Sequence, residues 1–201
     1  MKAVSDRFNN AVSRLDEAHA EDPRRVDRNG REIAWSVLYH DRMRAWLTKL
    51  APDASEALRL AVYSQHLRRW KIPRDRYPEG KLGYKAWRRE LAILHGDEAA
   101  VILGECGYGE DVIKRVRELL LKTQLKTDPE TQTLEDVACL VFLENEFEDF
   151  ASKHEPEKLA VILRKTWKKM SPRGREEALA LAEQLPEDLR KIVVGAVAEE
   201  I

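Results

Sequence analysis

The chain is short of several things at once, and each shortage removes a class of function. It has two cysteines, Cys106 and Cys139, among 201 residues. They lack CxxC spacing and histidine pairs nearby, so neither a zinc ribbon nor a disulfide framework is encoded. There is no surplus of either charge: 35 Lys and Arg stand against 36 Asp and Glu, which leaves no global field to draw in nucleic acid or an acidic membrane. No run approaches the roughly 20 apolar residues of a membrane span, and the opening MKAVSDRF carries charge where a secretory leader is apolar. The expectation is a cytoplasmic protein in a reducing compartment, with no membrane partner and with nucleic acid disfavoured.

Glycine and proline, nine and eight residues, fall almost entirely between segments whose apolar residues recur three and four apart. That pattern, rich in Leu, Ala, Glu, Arg and Lys, predicts an all-α protein. The reading is one helical domain of about eight or nine helices, with a core over about 30–153 and a C-terminal helical layer over about 155–201.

The first helix is expected over about 5–20, with Phe8, Val12 and Leu15 on one face, followed by the polar loop EDPRRVDRNGRE. A second runs from about Glu32 to Leu50. The third opens with Asp53 as N-cap and Glu56 three residues on, and stops before Pro73. Later helices are predicted from about Tyr84 to Glu105, Glu110 to Leu125 and Leu134 to Lys153, the last containing the all-round apolar VACLVFL. Three shorter ones start near Pro156, Pro172 and Pro186.

Polar groups falling on apolar stripes are the candidates for chemistry. Asp41 shares a helical face with Val37, Leu38 and Ala45. His66 lines up with Val62 and Trp70, His95 with Leu91, Ala99 and Ile102, and Asp136 with Leu140, Leu143 and Phe147. Each has a bland reading as a capped or ion-paired residue. An unpaired buried carboxylate costs several kcal/mol, however, so four such groups on four core-facing stripes suggest mutual neutralisation, and two carboxylates with two imidazoles around a divalent cation would achieve it.

The chain order of these groups resembles the HD superfamily of helical metal-dependent phosphohydrolases, over about residues 30–150. LRLAVYSQHL stands where that superfamily has an apolar run ending in His-Asp, and TLEDVACLVFL stands at its closing aspartate. The resemblance implies metal ligands at Asp41 (or its neighbour His40), His66, His95 and Asp136. It departs at Leu67, which occupies the place of the aspartate in the signature dipeptide.

A second similarity covers nearly the whole chain. LYHDRMRAWL, ASEALRLAVYSQHLRRWKIPR, GYKAWRRELAILHGD and RKTWKKMSPRG are similar to a family described only as a domain of unknown function, number forty-two-oh-two, in which a glutamate stands at the position of Asp41. KKMSPRG also resembles the KMSKS loop of class I tRNA synthetases, but the chain has neither their HIGH-type motif nor a Rossmann strand pattern.

The sequence therefore supports two functions. In one, the protein is a metal-dependent phosphohydrolase acting on a small phosphorylated substrate, a phosphoester or nucleotide. Mn, Fe, Zn, Ni or Co would suit its mixed nitrogen and oxygen ligands, and Arg42, Arg69 and Arg74 would hold phosphate. In the other, the same groups form a buried polar network or a structural metal site in a non-catalytic helical protein that binds a partner. No catalytic residue is assigned, and neither substrate, metal identity nor oligomeric state follows from the sequence.

Overall fold

In the computed structural model, which describes residues 6–198, helix prevails. No helix among the described residues is long and apolar enough to cross a membrane. The described residues divide into two compact units, the first comprising residues 6–45 and 53–123, the second residues 46–52 and 124–198.

The first unit opens with α1 (Asp6–Ala20), which buries Phe8, Ala11, Leu15, Ala18 and His19. Where a polar loop was expected, the chain forms a two-stranded antiparallel hairpin, β1 (Arg25–Arg28) and β2 (Arg31–Ala34). Its turn is Asn29-Gly30, with φ of 57° and 78°. Both values lie in the left-handed region that a two-residue hairpin turn demands, and Asn-Gly supplies them at least cost. The hairpin shifts the start of α2 to Trp35, and α2 runs to Leu50, so that the boundary between the units falls within it. The buried stripe of α2 also differs from the expected one. It passes through Ser36, Tyr39, His40 and Met43, while Asp41 is half-buried and Ala45 exposed.

α3 (Glu56–Ser64) is capped by Ser55, whose hydroxyl accepts from Leu58 N–H, rather than by Asp53. It ends well short of Pro73, and two 3-10 turns, Arg69–Lys71 and Arg74–Arg76, lead instead to α4 (Gly80–Glu105). α5 (Glu110–Leu121) packs against both α3 and α4.

In the second unit α6 (Pro129–Asn145) starts earlier than expected, because Asp128 caps it and Pro129 takes the first helical position. It breaks at Glu146, and a short α7 (Phe147–Ala151) follows. α8 (Pro156–Trp167), α9 (Pro172–Ala182) and α10 (Glu187–Ala198) form the three proline-introduced helices that the sequence predicts. α6 packs on α9, and α10 on α8 and α9.

Candidate functional site

The end of α3 sets up the first unit's interior. Ser64 turns its hydroxyl back onto Leu60 O at 2.8 Å, Gln65 leaves the helix in an extended conformation, and His66 and Arg68 follow with φ of 64° and 49°. Left-handed backbone at a non-glycine residue costs about 1 kcal/mol or more. Two such residues in three concentrate strain on one loop, and the result is that His66 lies against His95 of α4, ring centroids 5.8 Å apart.

Leu67 explains itself in this loop. Its side chain is fully buried, so an acid there would enter the apolar core, while its carbonyl accepts the Nδ1 proton of His95 at 2.8 Å. A carbonyl can only accept, so the neutral His95 ring carries its proton on Nδ1 and leaves Nε2 as a bare lone pair. That Nε2 is buried with no partner, and so is Nδ1 of His66.

Burial holds both rings neutral. It takes the pKa of His95 down to about 3, opposed by the bond to Leu67 and assisted by Arg69 and Arg88. It lowers His66 as well, with Arg69, His95 and Arg88 adding to the effect. Tyr39 stacks on His66 at 4.9 Å, and behind it His40 stacks on His19 at 3.5 Å. The two rings are anchored on carbonyls: His19 Nε2 at 2.8 Å from Tyr63 O, and His40 between Ser36 O and Gln65 O. Burial lowers the pKa of both, that of His19 to about 4.

The Arg69 side chain beside these rings is unusual for the burial of its charge. Arg69 lies with its guanidinium 4.5 Å from the centre of the Trp87 ring, and its Nη1 is buried with no partner. Burial, then the proximity of Arg88, lowers its pKa to about 10. The turn that carries it is fixed by Trp87 Nε1–H on Ile72 O at 2.9 Å and by Arg74, which spans Tyr77 O and Pro78 O at 2.8 and 3.0 Å. α4 approaches this turn so closely that a Cβ on Gly83 would lie 1.9 Å from Pro78 O.

Of the four residues that the sequence offers as metal ligands, the structure brings together His66 and His95. Asp41 accepts from Arg28 of the hairpin at 2.5 Å, and its side chain is 37% exposed. Asp136 belongs to the second unit, where Ser171 N–H and Gln132 Nε2 each donate to its Oδ1 at 3.0 Å and Ser171 Oγ to its Oδ2 at 2.5 Å. Burial raises its pKa and these bonds oppose the rise. Among the described residues no group of three or more His, Cys, Asp or Glu side chains is placed to hold a metal ion. The donors beside His66 and His95 are cationic, an environment for an anion.

Of the proposed phosphate-binding arginines, Arg69 reaches this centre. Arg74 holds the turn beneath it, 6.0 Å from the Trp87 ring, and Arg42 is half-buried on α2. Sequence reasoning missed Arg88 and His19. Both were within reach of periodicity: Arg88 lies seven residues before His95, on the same helical face, and His19 continues the stripe of Phe8 and Leu15.

The family model described as Domain of unknown function (DUF4202) matches residues 9–193, and the chain belongs to that family. No curated protein and no solved structure matches it.

Proposed function

We propose that this member of the family binds a phosphorylated small molecule in its first unit and hydrolyses the phosphoester there. The observation that carries the reading is the coincidence of two unpartnered imidazole nitrogens, on His66 and His95, with an unpartnered buried guanidinium nitrogen on Arg69. A buried polar atom left without a partner costs about 1–3 kcal/mol. Three in one place are best understood as partners reserved for a ligand.

A phosphomonoester supplies what each of them lacks. Its anionic oxygens match the planar guanidinium of Arg69, with Arg88 adding charge, and its oxygens or its P–OH partner His66 Nδ1 in either tautomer of that ring, which leaves the lone pair on His95 Nε2 to the attacking water. For hydrolysis, water attacks phosphorus while His95 Nε2 takes the proton that the water gives up. The imidazolium so formed returns the proton to the departing alcohol oxygen. The arriving anion favours that protonated state, since its charge offsets the burial that keeps the free ring neutral. The Nδ1–H bond to Leu67 O holds the ring in the tautomer this requires.

A second reading, the metal-dependent hydrolysis of the HD superfamily, is favoured by the same His95 tautomer. A ligating histidine characteristically gives its other ring proton to a carbonyl. His66 and His95 would hold a Mn, Fe, Zn, Ni or Co ion, and the ion would supply a Lewis acid for the phosphoryl oxygen. Titration of the protein with inorganic pyrophosphate and a panel of phosphoesters, in EDTA and with each metal, separates the two. Binding that survives EDTA supports the anion site. Binding and turnover only with metal, with one ion per chain lost in His95→Ala, support the second. No binding under either condition removes both.

A further inference from the structure

The loop that carries His66 and Arg69 is strained, and a strained backbone persists only where its surroundings over-determine it. His66 and Arg68 are both in the left-handed region, with φ of 64° and 49°. The ion pairs of this loop converge on Arg68 and Glu98. Arg68 donates from Nε and Nη2 to the two carboxylate oxygens of Glu21, at 3.0 and 2.9 Å, and from Nη1 to Oε2 of Glu98 at 2.5 Å. The other oxygen of Glu98 accepts from Lys71 Nζ.

The anchor points matter for the centre. Glu21 follows the end of α1, and Glu98 stands on α4 three residues after His95, on the same face of that helix. Arg68 therefore ties the loop at two points, one of them the stretch of α4 that bears His95. Arg68 and Lys71 bracket Arg69 in the chain, so Glu98 grips the loop on both sides of the arginine whose Nη1 has no partner. The side chains of Arg68 and Glu98 are 23% and 17% exposed, so this pair is screened less than the exposed ion pairs whose contribution is small.

We infer, on the reading of His66, His95 and Arg69 as one anion site, that Arg68 and Glu98 are its positioning pair. With Glu21 and Lys71 they hold His66 against His95, keep Leu67 O on the Nδ1–H of His95 and set Arg69 over the Trp87 ring. Neither touches the ligand. With the pair broken, the loop relaxes out of its left-handed backbone, Leu67 O leaves His95, and the ring is free to exchange its proton between the two nitrogens.

The test reads the rings of the ligand-free, full-length protein labelled with ¹⁵N at histidine, in long-range ¹H–¹⁵N spectra, beside pyrophosphate affinity in EDTA and urea unfolding. Arg68→Gly keeps the left-handed backbone accessible and removes the ion pairs; Glu98→Gln keeps the shape and removes the charge. In both, His95 is expected to pass from a single Nδ1–H tautomer to a mixture, and its nuclear Overhauser contact with His66 to weaken. Pyrophosphate affinity should fall about tenfold, the low end of what loss of an outer partner costs a ligating histidine. Arg68→Lys, which retains one ionic contact, should recover part of that affinity. If Arg68→Gly does not fold, Glu98→Gln decides. A wild type that binds no pyrophosphate defeats the anion site, and the ring spectra then decide the positioning by themselves. Folded variants that are less stable in urea, yet keep the His95 tautomer and its contact with His66, overturn the proposal, since the pair then serves stability alone.

Discussion

Asp136 and His95 are buried to nearly the same degree, 3% and 5% exposed, and end in opposite states. In the second unit, Asp136 is met by three donors and joins α6 to the start of α9, where Ser171 Oγ also accepts from Gly174 N–H at 3.0 Å. The fit is tight enough that a Cβ on Gly174 would come within 2.6 Å of the carboxylate. In the first unit, His95 has one nitrogen secured on Leu67 O and the other facing no partner. Polar burial alone therefore does not mark a site. The saturated group serves the fold, and the unsaturated one is the group that the proposed anion would meet.

Four changes probe this contrast, in descending order of expected effect. Leu67→Asp would create the His-Asp dipeptide of the metallohydrolases that the sequence resembles, but it places a carboxylate where the wild-type side chain is fully buried. It should cost more than about 4 kcal/mol in urea unfolding. A stable variant that gains a bound metal would show that this position faces a site after all. Asp136→Ala should cost about 2–3 kcal/mol, because Ser171 N–H loses its acceptor, and should leave pyrophosphate affinity unchanged. Loss of that affinity at full stability would move Asp136 into the functional class.

Acid should act on the first unit through its imidazoles. His19 in the folded chain has a pKa of about 4, whereas the unfolded chain titrates near 6.5. Protons are thus taken up on unfolding across that window. The stabilisation from a neutral His19 is whole above pH about 6.5, declines by about 1.4 kcal/mol per unit as pH falls, and levels off below about 4. Between pH 7 and pH 5 the His19 share of the loss should be about 2 kcal/mol, so His19→Phe should reduce the pH dependence seen in urea titrations by that amount and leave the part due to His40, His66 and His95. Arg69→Ala should have the smallest effect, about a tenfold loss of pyrophosphate affinity in calorimetry, or about 1.4 kcal/mol.

The same contrast explains what the sequence could disclose. Periodicity identified the all-α class and put His66 and His95 on core-facing stripes, and in the structure their rings lie 5.8 Å apart. It put His66 on a continuing helix, since nothing local reveals that Gln65 turns out of α3 and that His66 adopts a left-handed backbone. On α2 the choice between neighbours went to Asp41, although the stripe of Tyr39, Met43 and Leu47 passes nearer His40. The Asn-Gly pair that closes the hairpin was legible as turn chemistry and lay hidden in a charged stretch. For Asp136, spacing showed burial and could not show Ser171, 35 residues later, arriving to satisfy it.

The central claim is that the unpaired imidazoles of the first unit await an anion. Its most direct test is the long-range ¹H–¹⁵N spectrum of protein labelled at its five histidines, titrated with inorganic phosphate in the presence of EDTA. The account predicts His95 as a neutral Nδ1–H tautomer at pH 7. Saturable shifts should follow at His66 and His95, with His154 of the second unit unmoved. His66 and His95 signals that stay fixed at millimolar phosphate, or that move only when a divalent metal is added, would contradict it.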